Sequence, residues 1–238
     1  MDKPFKHGGI SMKKLLLTTL SLLSLSSFAG PQHTAAAKGD IEELWKAIGE
    51  EIGEEAEDSQ ITSFIDSEDE NGNTCLSLAT RNGHFEMIEE LIALDADVNH
   101  CNKLGARPIH IAAWEGPFGH GFEPIREEEK NENGGFDPKK SEAYKLTIIN
   151  LLVENGANIN DVEERDNRET PLSIAVNREE KSIVKYLREK GAMVSDDLRD
   201  CLLGINGRLI VFDKKNKQSN FRKRLEMVKL LRILRSNS

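Results

Sequence analysis

The 238-residue sequence has few aromatic side chains, at 5% of its residues, so its apolar burial must rest on Leu, Ile, Val and Ala. Its three cysteines, Cys75, Cys101 and Cys201, form no C-x-x-C pair, which excludes a dense disulfide framework and argues against a zinc knuckle. It also lacks the G-x-S-x-G, H-E-x-x-H and phosphate-loop patterns of common catalytic sites. The sequence therefore predicts no catalytic residue, no metal site and no cofactor.

Charge is unevenly distributed along the chain, whose formal net charge is −9. From Cys201 to the end, ten basic residues stand against Asp213 and Glu226, a balance of +8, so the part before Cys201 sums to −17. An acidic body argues against nucleic-acid binding, which requires a basic surface on the folded domain. The basic tail suits an acidic partner or membrane surface, although a solvated helix face is the more common role of such a segment.

The N-terminal region has the pattern of an export signal. Lys13 and Lys14 precede an apolar stretch from Leu15 to about Leu25, and small residues follow up to Ala29. Ser27 and Ala29 occupy the −3 and −1 positions of a cleavage site before Gly30. The stretch is shorter than the roughly 20 residues that span a bilayer. We interpret residues 1–29 as a signal peptide, with Met12 as an alternative start, and a buried capping helix as the alternative structure.

One pattern recurs in the rest of the chain. Its first half is found at residues 71–83, 104–116 and 167–179, and Gly72 and Gly105 stand 33 residues apart. Its second half ends in similar six-residue sequences at residues 94–99 (LDADVN), 155–160 (NGANIN) and 190–195 (KGAMVS). Apolar residues within the copies follow helical spacing, as in the triplets Leu76, Leu78, Ala79 and Ile88, Leu91, Ile92.

These copies resemble the ankyrin repeat, whose signature is a T-P-L-H helix start and a G-A-D-V-N ending at a period of 33. The resemblance predicts an all-α solenoid of stacked helix pairs with short hairpin connections, of the exported bacterial type. The repeats are assigned to 31–66 (the faintest), 67–99, 100–160 and 165–195, with residues 196–238 as a helical cap and basic tail. No clear copy keeps both the Thr and the His of the family turn, which predicts modest stability; His110 is interpreted as a turn histidine.

The family binds other proteins through its hairpin tips and the exposed side of each first helix. Carried over by position, that surface comprises Glu70, Asn71, Asn73, Arg81, Asn82, Lys103, Leu104, Trp114, Glu115, Asn167, Glu169, Asn177 and Arg178. We expect Trp114, flanked by Arg81 and Arg178 in adjacent copies, to anchor the partner, because Trp and Arg are enriched at interface hot spots. Packing of Trp114 beneath the neighbouring insertion is the alternative.

An insertion of 28 residues, assigned to 117–144, separates the two helices of the third repeat and is predicted to be a long loop. The sequence thus favours a non-catalytic protein-binding module or scaffold that is monomeric and exported, either periplasmic or secreted, with no membrane span once the signal is removed. Two alternatives stay open. One is a cytoplasmic location, including a host cytoplasm for an effector, and the other is an enzyme or enzyme subunit with a site in the insertion at His120, Glu123 and Asp137.

Cleavage of the signal gives the first testable prediction: the mature protein begins at or near Gly30. N-terminal sequencing of the exported fraction measures this directly. Recovery of soluble cytoplasmic protein that still carries residues 15–28 would contradict the interpretation.

Overall fold

The computed structural model describes residues 29–53, 55–114, 138–163 and 169–194. In these residues it contains nine helices and no strand. The helices are α1 (Pro31–Lys38), α2 (Ile41–Glu51), α3 (Asp58–Ile65), α4 (Cys75–Asn82), α5 (Phe85–Ala93), α6 (Pro108–Trp114), α7 (Pro138–Glu154), α8 (Pro171–Asn177) and α9 (Lys181–Glu189). The signal-peptide and C-terminal cap assignments lie outside the described residues.

Local sequence explains where the first helix of each repeat begins and ends. Proline stands at the first position of α1 and α8, where its missing N–H would have no helical partner. The hydroxyls of Thr74 and Thr170 accept the backbone N–H of Ser77 (3.3 Å) and Ser173 (3.2 Å), which caps α4 and α8. Gly83 ends α4 with a φ of 63°, a conformation that glycine adopts without a steric penalty.

The helices form a single row of stacked pairs. Each first helix packs on its second helix, as α1 on α2, α4 on α5, α6 on α7 and α8 on α9, and successive first helices contact one another in chain order. One continuous core runs through the stack, with Leu44, Leu76, Ile109, Ile149 and Leu172 fully or almost fully buried. The predicted all-α repeat solenoid is confirmed. Of the predicted apolar triplets, Leu78 and Ile92 are only half-buried.

Two segments differ from the sequence interpretation. The acidic stretch of the first repeat leads into a separate helix, α3, so this repeat contains three helices; Gln60 accepts the backbone N–H of Glu57 at its start (3.0 Å). The insertion was predicted to continue to Tyr144, but α7 begins at Pro138. The loop interpretation is therefore wrong for residues 138–144. These residues form the first turns of α7, which are held in place by contacts with neighbouring repeats.

The first turns of α7 are fixed by contacts with neighbouring repeats. Ser141 is buried, and the Tyr144 hydroxyl donates to the carbonyl of Gly83 (2.7 Å). The Glu142 carboxylate accepts the backbone N–H of Ser182 (2.6 Å), so it caps the start of α9 from another helix. Lys145 is almost fully buried and pairs with Glu180 (2.7 Å). The chain thus returns from the insertion into a defined position.

The recurring endings join each repeat to the next through one side chain. Asn99 accepts the backbone N–H of Asn158 (2.9 Å) and donates to the carbonyl of Gly156 (3.0 Å), and Asn160 accepts the N–H of Met193 (2.7 Å). Asp66 occupies the equivalent place in the first repeat, and its carboxylate accepts the N–H of Asp97 at 3.1 and 3.2 Å. Three consecutive joints therefore share one side chain-to-backbone contact.

Asp66 differs from Asn99 and Asn160 because it is ionisable. Burial raises the pKa of Asp66 and the charge of Asp97 raises it further, while the hydrogen bond from Asp97 and the nearby His100 offset only part of the increase. A raised pKa means that the folded state favours the neutral acid. Ionisation of Asp66 therefore weakens the fold as the pH rises through that pKa.

Replacing Asp66 with Asn should stabilise the protein. Asp66→Asn removes the buried charge and supplies an amide donor for the Asp95 carbonyl, as Asn99 does for Gly156. We expect the free energy of unfolding at pH 7 to rise by about 1 kcal/mol, the net value of one hydrogen bond. The gain should shrink below pH 4, where Asp66 is already neutral. Urea denaturation of both proteins at pH 7 and at a pH below 4 measures the change in the free energy of unfolding.

The control is Glu55→Gln, which removes the same charge from an exposed position between α2 and α3. An equal gain in the control, or no gain from Asp66→Asn at pH 7, would contradict the role assigned to Asp66.

Candidate protein-interaction surface

The hairpin tip of the second repeat is built around the buried carboxylate of Asp69. It accepts the backbone N–H groups of Asn71 (2.7 Å) and Asn73 (2.8 Å) and the side-chain amide of Asn73 (3.0 and 3.2 Å). Burial alone would raise the pKa of Asp69, but these hydrogen bonds outweigh it and hold the pKa below its ordinary value. The ionised carboxylate thus orders the turn.

The next tip repeats this arrangement with an amide. Asn102, which stands 33 residues after Asp69, accepts the N–H groups of Leu104 and Ala106, both at 3.0 Å. Its own amide donates to the side-chain oxygen of Asn73 (2.9 Å), and the backbone of Lys103 donates to Asn71 (3.0 Å). The two tips therefore form one ordered edge.

Two features of this edge correct or sharpen the sequence interpretation. Asn73 was predicted to face a partner, but only 1% of it is exposed, because its amide connects the two tips. Gly72 has a φ of 75°, and a Cβ there would lie 2.7 Å from the backbone nitrogen of Lys103. Glycine is therefore required at this point of closest approach.

The side chains that the tips leave in solvent are the ones that suit contact with a partner. Glu70, Asn71, Lys103 and Leu104, four of the residues assigned to the partner-binding surface, are exposed. Leu104, at 48% exposure, is one of three large apolar side chains in the described part of the chain that remain substantially exposed. We call these four residues the tip surface.

The predicted residues at the ends of the first helices contact one another. The Trp114 indole N–H donates to Glu169 (3.1 Å), whose other oxygen accepts the amide of Asn177 (2.8 Å). Trp114 is half-buried and packs against the core. The structure thus places Trp114 in a bridge between the third and fourth repeats, while its predicted packing beneath the insertion involves residues 115–137, which lie outside the described residues. Its role as a partner anchor stays a prediction.

The equivalent positions elsewhere are partly used within the fold. Asn82 is half-buried and donates to the carbonyl of Ala37 (2.6 Å), which His84 also contacts (2.8 Å). Arg81 is half-buried, whereas Arg178 is exposed and pairs with Glu180 (3.3 Å). Glu115 and Asn167 lie outside the described residues, as do His120, Glu123 and Asp137.

Two histidines connect repeats in a way that the sequence interpretation recognised only in part. His110 Nδ1 accepts the N–H of Arg107 (3.4 Å), so the ring proton is on Nε2, which donates to the carbonyl of Asp161 (3.0 Å). His33, which was missed, makes the same pair of contacts with Gly30 (3.0 Å) and Ser67 (2.8 Å). The spacing Pro-x-His, shared by Pro31–His33 and Pro108–His110, was the available signal.

Burial lowers the pKa of His110, and the adjacent Arg107 lowers it further, against the opposing effect of Asp161. His110 therefore remains neutral, and its contribution to stability, complete above the unfolded pKa, is lost as the pH falls through the lowered value. Arg107, where the family turn has threonine, forms an ion pair with Asp161 (2.6 Å) and donates to the carbonyl of Asn99 (3.0 Å). This joint thus gains a contact in place of the family's Thr–His bond.

Within the described ranges, no group of three or more His, Cys, Asp or Glu side chains is arranged to hold a metal ion. The same residues include no helix that is long and apolar enough to cross a membrane. Cys75 is a free thiol, and burial raises its pKa far above the ordinary value, which keeps it protonated.

Comparison with known proteins agrees with this architecture. Residues 32–120 match the family model described as ankyrin repeats, in three copies. Residues 32–120 contain ankyrin repeats. The regulatory protein SWI6 of Saccharomyces cerevisiae is 27% identical over 43% of the chain, and SWI6 of Kluyveromyces lactis is 37% identical over 24% of it. The ankyrin repeat and KH domain-containing protein CBG24701 of Caenorhabditis briggsae is 28% identical over 48%.

These matches span 13%, 7% and 3% of the relatives' own lengths, in the same order. The chain is therefore similar to a small part of each relative. Ankyrin repeats generally mediate contacts between proteins.

The bridge at Trp114 predicts a stability effect. Trp114→Ala removes a half-buried ring from the ankyrin stack and should lower the free energy of unfolding by about 2–3 kcal/mol. Trp114→Phe keeps the ring but loses the hydrogen bond to Glu169, so we expect a loss of about 1 kcal/mol. Thermal and urea denaturation of both variants measure the difference. Unchanged stability of Trp114→Ala would reject the packing role.

Proposed function

We propose that this chain is a non-catalytic binding module or scaffold whose ankyrin repeats hold another protein at the tip surface and the exposed ends of the first helices. The observation that carries the proposal is the tip surface itself. Asp69 and Asn102 satisfy the backbone of both tips, while the side chains of Glu70, Asn71, Lys103 and Leu104 remain in solvent.

Such an edge suits protein binding because it is ordered before the partner arrives. Binding then avoids much of the entropy cost of fixing a loop. Leu104 offers apolar area, and Glu70, Asn71 and Lys103 offer polar contacts around it, which is the usual composition of an interface centre and its rim. We expect Leu104 to provide the largest single contribution.

The comparisons support a binding role over a catalytic one. Two of the relatives carry the name regulatory protein, and the third is named for its ankyrin repeats and KH domain. We propose that the repeats here serve a regulatory or scaffolding function of the same general kind. We also propose that the protein is exported, on the strength of the signal pattern in residues 12–29.

Substitution of Leu104 tests the binding surface. Leu104→Asp places a charge where we expect apolar contact, and it should weaken capture of a partner at least tenfold, or about 1.4 kcal/mol. The fold should change little, because Leu104 is exposed. The measurement is quantitative mass spectrometry of proteins retained from the native compartment, with denaturation as the stability check.

The matched control is Met193→Asp, because Met193 is 67% exposed and lies outside the predicted surface. Partners lost from Leu104→Asp but retained by Met193→Asp would support the proposal. Loss from both variants, or from neither, would contradict it.

A further inference from the structure

The second helices carry a gradient of charge along the stack. In α2, four carboxylates stand against Lys46, and in α5, three carboxylates stand without a cation; these seven are Glu42, Glu43, Glu50, Glu51, Glu86, Glu89 and Glu90. By contrast, α7 has a net charge of +1 and α9 of +2. The first two repeats therefore present a negative surface on the side formed by their second helices.

An exposed tryptophan lies within this surface. Trp45 of α2 is 42% exposed, and its indole N–H donates to Glu90 of α5 (2.8 Å), which connects the two helices. Glu42 and Glu86 stand one helical turn before Trp45 and Glu90, so they share this side. Glu89 is also exposed. We call Glu42, Trp45, Glu86, Glu89 and Glu90 the acidic face.

The two lysines of the first two repeats, both in the described part of the chain, pair with carboxylates outside the acidic face. Lys38 pairs with Glu43 (3.1 Å) and Lys46 with Glu50 (3.9 Å), so neither offsets the carboxylates of the acidic face. Repulsion among like charges on neighbouring helices destabilises a fold. A cationic segment seated there would relieve this repulsion and cover Trp45.

We infer that the acidic face receives the chain's own basic segment, residues 214–235. This segment carries nine basic residues against Glu226: Lys214, Lys215, Lys217, Arg222, Lys223, Arg224, Lys229, Arg232 and Arg235. Between them, apolar residues recur at three-residue spacing at Leu225, Val228, Leu231 and Leu234. The segment therefore complements the acidic face in charge and in apolar character. Its cations suit the carboxylates, and its apolar side chains suit Trp45. Arginine over the indole would add a cation–π contact.

The connection is long enough for docking within one chain. Position 214 lies twenty residues along the chain from position 194, the last described residue of the fourth repeat. Extended chain covers about 3.3 Å per residue, or roughly 65 Å in all. The acidic face lies two to three repeats back along the stack, roughly 30 Å at a helix spacing of about 10 Å. Attachment to the same chain also raises the effective concentration of the segment at the face to the millimolar range.

Photocrosslinking of the full-length protein tests this inference. A photoreactive amino acid replaces Lys46, which is exposed beside Trp45, and the linked peptides are identified by mass spectrometry. We expect links to residues 214–235 at low ionic strength and at least a fivefold loss of those links at 0.5 M salt, because salt screens exposed charges. A mixture of isotopically light and heavy protein distinguishes links within a chain from links between chains.

Two triple variants provide the comparison. Glu42→Gln/Glu86→Gln/Glu89→Gln neutralises the acidic face and should also reduce the links at least fivefold. Glu70→Gln/Glu154→Gln/Glu189→Gln removes the same charge from exposed positions elsewhere and should leave them unchanged. Absence of links to residues 214–235, links that survive neutralisation of the acidic face, or links formed only between chains would each overturn the inference.

Discussion

In each repeat, burial of apolar side chains depends on the adjacent repeat, and the ending of each repeat determines how that neighbour is placed. Asp66, Asn99 and Asn160 each accept a backbone N–H from the following ending, which fixes the distance and rotation between repeats. The core residues of the stacked helices meet only when this register is kept. Stability is therefore shared between non-directional burial along the row and directional contacts at the joints, of which this side chain-to-backbone contact recurs at all three.

The joints are not alike, and the differences explain how the array tolerates departures from the family turn. His33 and His110 span to the following repeat, whereas serine at the same position, Ser77 or Ser173, closes only its own turn with threonine. At the third repeat, Arg107 adds an ion pair with Asp161. The expectation of modest stability drawn from the missing Thr–His pairs did not include this contact, since an arginine at a turn position does not indicate its partner.

Sequence periodicity was sufficient to predict the helix pairs, their order and most of the core, because burial repeats with the helical period and with the 33-residue step. Periodicity predicted less well whether a single residue within a turn is buried or exposed. Asn71 and Asn73 are two positions apart in one turn, yet the first is exposed and the second is buried against Asn102. The 33-residue spacing between Asp69 and Asn102 was the signal that could have distinguished the two asparagines. The bridge from Trp114 to Glu169 joins distant positions, so no local pattern indicated it.

The contacts of α7, the helix that follows the insertion, bear on which changes of sequence the insertion can accept during evolution. Helix α6 ends at Trp114 and α7 begins at Pro138. Ser141 is buried, and Glu142 and Tyr144 bond the start of α7 to two other repeats. Contacts of the helices on both sides of residues 115–137 thus hold the third repeat in register with its neighbours. We therefore expect a change of length between positions 114 and 138 to be tolerated while these contacts hold the start of α7, because lengthening a connection raises its closure entropy only slowly.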